Sequence, residues 1–113
     1  MKIAPIFILF ILFSLSCSKD KNKVTGIACD GSNLAYNTGI SAIINASCNA
    51  SNCHGSGSSH GSFTSYAGLK PFLTNGSFNN SVLNNQNMPK GADLTKSQLD
   101  KIKCWVDNGY PEN

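Results

Sequence analysis

Apolar side chains occur in separate groups along this chain, and each group has its own spacing. Residues 3–17, IAPIFILFILFSLSC, form a nearly unbroken apolar run behind Lys2 and end in small residues. This is the layout of a secretory signal, assigned to 1–16, and the run is too short to span a membrane comfortably. In TGISAIINASCNA, which starts at Thr38, Ile40, Ile43, Ile44 and Cys48 recur at helical spacing. Thr38 is placed to cap this helix, which then delivers Cys48 at its C-terminal end. Farther on, Tyr66 with Leu69, Phe72 with Leu73, and Val82 with Leu83 form short clusters separated by Asn and Gly. Pro71 and Gly76 rule out one long helix there, which predicts short helical turns and loops. The last group, Leu99, Ile102, Trp105 and Val106, is the apolar stripe of LTKSQLDKIKCWVDNG. Thr95 and Gln98 have the spacing of a capping box, Asp93 and Asp100 suit the positive end of the helix, and Asn108-Gly109 is a stop. No segment alternates as a strand does, so the fold class is all-α.

Length and composition limit what this pattern can build. The chain has 113 residues, and removal of a signal leaves material for one small domain, assigned to 34–113. Domains of this size often depend on disulfides, a metal or a cofactor, because buried apolar surface barely offsets the conformational entropy lost. Residues 18–33, SKDKNKVTGIACDGSN, are polar and aperiodic and read as a flexible tether. The whole chain carries a formal charge of +3 from 9 basic and 6 acidic residues. Without Lys2 the balance is 8 − 6 = +2, which is no nucleic-acid footprint. Every basic residue is lysine, so a bidentate arginine clamp on phosphate or carboxylate is excluded.

Five cysteines stand at 17, 29, 48, 53 and 104. The junction at Cys17 resembles the lipobox of bacterial lipoproteins. That resemblance implies a lipidated Cys17, a membrane-anchored N-terminus at 17–33 and an exported protein on the periplasmic or cell-surface side; an ordinary signal peptide cut near Cys17 also implies export. Free thiols do not persist in oxidising compartments. Cys29 and Cys104 are therefore read as a disulfide, with Cys48–Cys53 the competing pairing. Cys104 lies off the apolar stripe of its helix and needs a cover, which the segment carrying Cys29 can supply.

The densest chemistry is CNASNCH, residues 48–54, where two thiols are followed at once by an imidazole. Covalent haem attachment needs this set: each cysteine adds to a vinyl group and the adjacent histidine ligates the iron. The usual spacer is two residues, and here it is four. The sequence resembles the small monohaem c-type cytochromes of class I, especially domains of exported bacterial lipoproteins. The likeness runs over about 34–110, through His54-Gly55, Ser65-Tyr66-Ala67, Met88-Pro89 and the last helix. It implies three to four short helices and loops wrapped around one haem c, held through Cys48 and Cys53. It implies axial ligation by His54 and Met88, with Pro89 stiffening the loop of Met88. The function implied is one-electron transfer between redox partner proteins, without a small-molecule substrate and without catalysis. Thioether with imidazole ligation raises a haem potential. The apolar residues expected around the haem are Ile40, Ile43, Ile44, Tyr66, Leu69, Phe72, Leu83, Leu99, Ile102 and Trp105, while the Gly/Ser run after His54 skirts its exposed edge.

Plainer readings remain beside this one. Met88 can be a loop methionine packed on the core. His60 is read as a surface histidine, with distal ligation its alternative. Lys70, Lys90, Lys96, Lys101 and Lys103 are candidates for a basic rim that steers an acidic partner, or else ordinary solvated side chains. Two haem-free alternatives are a zinc module of Cys48, Cys53, His54 and His60, and a disulfide-stapled surface domain.

Overall fold

The structure is a computed structural model, and it describes Cys29 and residues 34–113. The expected signal at 1–16, Cys17 and nearly all of the tether lie outside the described residues.

Helical structure begins two residues before Thr38. A π-helical stretch, π1 (Tyr36–Ile40), runs directly into helix α1 (Ser41–Ser47). Thr38 is therefore not the cap expected from its position; it lies inside the first turn, where its Oγ1 accepts from the Ala35 N–H at 3.2 Å. The orphan N–H groups of the helix start are satisfied from far along the chain. Tyr36 donates to the Pro111 carbonyl at 2.9 Å and Asn37 to that of Glu112 at 3.0 Å. A helix start needs acceptors for its first N–H groups, and a carbonyl from the tail serves as well as a local side chain. At the other end Cys48 is the C-cap, its N–H donating to Ile44 O at 2.8 Å.

Helix α2 (Tyr66–Thr74) starts from Ser65, whose side chain accepts from the Gly68 N–H at 3.2 Å. It includes Pro71 but stops before Gly76, so this segment forms short helices and not one long one, as expected. Proline removes one N–H and so one hydrogen bond of the helix, but α2 needs only three further residues before it ends at Asn75 and Gly76, the latter with φ 80°. A short helix α3 (Ser77–Asn79) then leads into a second π-helical stretch, π2 (Asn80–Asn84).

Helix α4 (Lys96–Asp107) has the expected capping box in full. Thr95 Oγ1 accepts from the Gln98 N–H at 3.2 Å, and Gln98 Oε1 accepts from the Thr95 N–H at 2.9 Å. Asn108 is the C-cap and Gly109 follows with φ 83°. Salt bridges Lys96–Asp100 and Lys103–Asp107 run along the exposed side.

These elements make an all-α unit with no strand among the described residues. Its core centres on Trp105, which has no exposed surface and packs with Ile40, Ile44, Leu69 and Ile102. The Trp105 Nε1–H donates to the Pro111 carbonyl at 2.9 Å, the partner a buried indole requires. Ile43, Tyr66, Phe72 and Val106 are only partly buried against this core. Phe63 and Phe78 are fully part of it, although neither stands in a periodic apolar pattern. Cys104 is buried but outside the apolar cluster and is bonded to the exposed Cys29 across 75 residues of sequence.

Candidate functional site

Beside the Trp105 core lies a cavity of about 510 Å³ whose wall includes Cys48, Cys53, His54 and Met88. The volume is that of an ordinary cofactor or ligand site. The four residues reach it from two directions. Cys48 closes α1, and Cys53 and His54 sit on the turn that follows, where Cys53 N–H donates to Ala50 O at 2.9 Å and His54 N–H to Cys48 O at 3.0 Å. Gly55 completes this turn, and a Cβ there would stand 3.0 Å from the Asn49 carbonyl. Met88 arrives on the loop after π2. Its N–H and that of Asn87 both donate to the Ser81 carbonyl, at 3.3 and 3.0 Å, and the Met88–Pro89 peptide is cis.

The Gly/Ser segment after His54 does more than pass along the rim. It turns back under the histidine, and the Phe63 N–H closes the loop on the His54 carbonyl at 2.8 Å. The Ser58 hydroxyl donates to the Cys53 carbonyl. Gly61, with φ 91°, presents its carbonyl 3.0 Å from His54 Nδ1. A carbonyl only accepts, so in the neutral ring Nδ1 carries the proton and Nε2 keeps the lone pair that a metal uses. Glycine is required at 61 on two counts: φ is positive, and a Cβ would lie 2.4 Å from the Phe72 ring.

Phe63 lies flat against His54, with ring centroids 3.9 Å apart and an interplanar angle of 1°. Phe72 and Phe78 meet Phe63 edge-on, at 4.9 and 6.4 Å. These three rings, with Val82 and Met88, give the cavity an apolar interior. Ser47, Asn52, Ser77, Ser81 and Lys90 contribute its polar lining. Of the ten apolar residues expected around a haem, only Phe72 faces the cavity; the others pack in the core beside it or against that core.

Cys48 and Cys53 are both free thiols, so the competing Cys48–Cys53 pairing does not form. Burial, and secondarily the neighbouring Cys53, push the Cys48 thiol up to about 11. Neither thiol is tied up in a disulfide, and at neutral pH Cys48 is protonated, the less nucleophilic form. No three His, Cys, Asp or Glu side chains among the described residues stand close enough to share a metal ion. His60 is exposed and reaches the cavity wall, its N–H donating to Ser58 Oγ.

The chain matches no known family model, no curated protein and no solved structure. Among the described lysines only Lys90 lines the cavity; Lys96 and Lys103 pair with aspartates, and Lys70 lies 5.7 Å from the Tyr66 ring centroid.

Sequence reasoning missed Phe63, Phe78 and the Gly61 carbonyl. Phe63 is a lone aromatic in GSFTS, a setting without periodicity, and a backbone carbonyl leaves no mark in residue type. One usable signal was the pair of glycines flanking the loop at 55 and 61, since glycine among polar residues marks close backbone approach.

Proposed function

We propose that this protein is an exported monohaem c-type cytochrome, a one-electron carrier with a small class I cytochrome c-like domain. The supporting observation is the convergence of two unbonded thiols, an imidazole with Nε2 available, and a thioether on one largely apolar cavity. The donor set fits a haem: soft and neutral axial donors, sulfur nucleophiles for the periphery, and aromatic walls for the macrocycle.

A bound haem would supply one chemical capacity, reversible one-electron change at its iron. Cys48 and Cys53 hold the cofactor. Their S–H groups would form the two thioether links by addition across the vinyl C=C bonds, with no leaving group and no oxidant needed. His54 donates through Nε2 while Gly61 holds Nδ1–H, which fixes the tautomer and raises the basicity of the ligand. Met88 donates its thioether from a loop tied back to Ser81. With His54 and Met88 both available as donors, the chain itself would occupy the iron, which suits electron transfer rather than the binding of a substrate or peroxide. Phe63, Phe72 and Phe78 exclude water from the interior, which keeps reorganisation small. Cys17 carries a lipid that anchors the exported domain, and the physiological partners are redox proteins that donate and accept the electron.

Intact mass together with a pyridine haemochrome spectrum tests this reading, on protein exported from a host that matures c-type cytochromes. The expected result is one haem per chain, retained through denaturing electrophoresis, with the spectrum of two thioether links. A colourless protein with no haem mass, carrying only its Cys29–Cys104 disulfide, overturns the reading in favour of a stapled surface domain.

A further inference from the structure

The torsion that turns a histidine ring about Cβ–Cγ has broad wells, so attachment to a turn does not by itself fix the ring plane. The Gly61 carbonyl fixes one edge atom, at 3.0 Å from Nδ1, and a single hydrogen bond leaves the ring free to roll about that contact. The face of the ring is held by something else. Phe63 is parallel to it within 1° at 3.9 Å.

Phe63 is itself held from several sides. Its N–H donates to the His54 carbonyl at 2.8 Å, so the two residues share a backbone link. Its carbonyl accepts from Asn49 Nδ2 at 3.2 Å. Phe72 abuts its ring at 68° and Phe78 at 63°, edge-to-face contacts that resist rotation. Phe63 is also buried, with 6% of its surface exposed. Phe72 meets His54 only edge-on, at 6.4 Å.

We infer that Phe63 is a positioning residue that sets the plane of the His54 imidazole, and with it the electronic state of an iron bound there. The inference rests on the haem reading and deepens it. The plane of an axial imidazole decides which iron d orbitals its π system overlaps, so a fixed plane gives one electronic ground state, and a loose one gives a spread. Partners outside the ligand shell orient metal ligands in this way.

The test uses the covalent holoprotein and its variants Phe63→Leu, Phe63→Tyr and Phe72→Leu, examined by electron paramagnetic resonance of the low-spin ferric form. Wild type is expected to give one narrow set of g values. Phe63→Leu should shift and broaden the largest g value, and Phe63→Tyr, which keeps a ring in the stack, should restore a narrow signal. Phe72→Leu removes a ring that braces Phe63 from its edge but is not stacked on His54, and should displace the g values less than Phe63→Leu does. Unchanged g values in Phe63→Leu, or an equal displacement in Phe72→Leu, overturns the inference. Should Phe63→Leu fail to fold, proton NMR of the diamagnetic ferrous wild type decides: ring-to-ring nuclear Overhauser effects between His54 and Phe63 are expected, and their absence overturns it. A wild-type protein without haem refutes the haem reading instead, and does so before any variant is made.

Discussion

At the scale of single residues, Met88 and Cys48 give the clearest expectations. Met88→Ala removes the thioether that would serve as an axial ligand in the proposed haem site and leaves both cysteine thiols and His54 intact. The holoprotein is expected to keep covalent haem and lose the far-red methionine-to-iron charge-transfer band; an unchanged band would remove Met88 from the site. Cys48 makes the protein before haem attachment sensitive to alkali. Its thiol, ordinarily near 9.0, is pushed up to about 11 in the folded state, chiefly by burial. The folded pKa is thus above the unfolded one. Below about 9 the stabilisation is fully present, and as pH rises towards about 11 the unfolded state ionises first and gains by up to roughly 2–3 kcal/mol. Urea midpoints of the haem-free protein should fall across that window, and Cys48→Ser should flatten the fall. Residue types and spacing singled out Cys48, Cys53 and His54, the resemblance to c-type cytochromes added Met88, and all four line one cavity. Phe63 stayed hidden, since its role depends on a parallel contact that only the folded loop creates.

At the scale of elements, local chemistry explains α4 and long-range contact explains π1. Thr95 and Gln98 satisfy the start of α4 within four residues of sequence, so that helix could be read from its own letters. Thr95→Ala should lower stability by about 1 kcal/mol in denaturant unfolding, with the spectrum of the site unchanged. Tyr36 and Asn37 find their acceptors in Pro111 and Glu112, beyond the reach of any local pattern; hence Thr38 looked like a cap and is not one. Helix α2 offers a sharper test. Ala is a better helix former than Gly by about 1 kcal/mol, yet a Cβ at Gly68 would stand 2.2 Å from the Ser62 carbonyl. That carbonyl belongs to the segment leading into Phe63. Gly68→Ala should therefore destabilise by roughly 1–3 kcal/mol and disturb the histidine loop, read as a lower melting temperature and an altered haem spectrum. A stabilised variant would mean that α2 and the loop are less closely packed than the structure has them.

At the scale of the whole molecule, one covalent link and one apolar core act on the fold together. The Cys29–Cys104 bond spans 75 residues, and the chain-entropy estimate for such a loop is about 4 kcal/mol. Cys29→Ser with Cys104→Ser should lower the denaturant midpoint accordingly; a midpoint within error of wild type would mean that the bond constrains little. The pairing was legible by elimination among the cysteines. The separation of core from cavity was not, because periodicity marks which residues are buried and not which void they face. The tail contacts carry a further implication about the order of events. The N–H groups of Tyr36 and Asn37 gain their acceptors only when residues 111 and 112 are in place, so the sequence of this helix does not by itself complete its start. A chain threaded out from its first residue therefore closes the start of its first helix only after residues 111 and 112 have followed it.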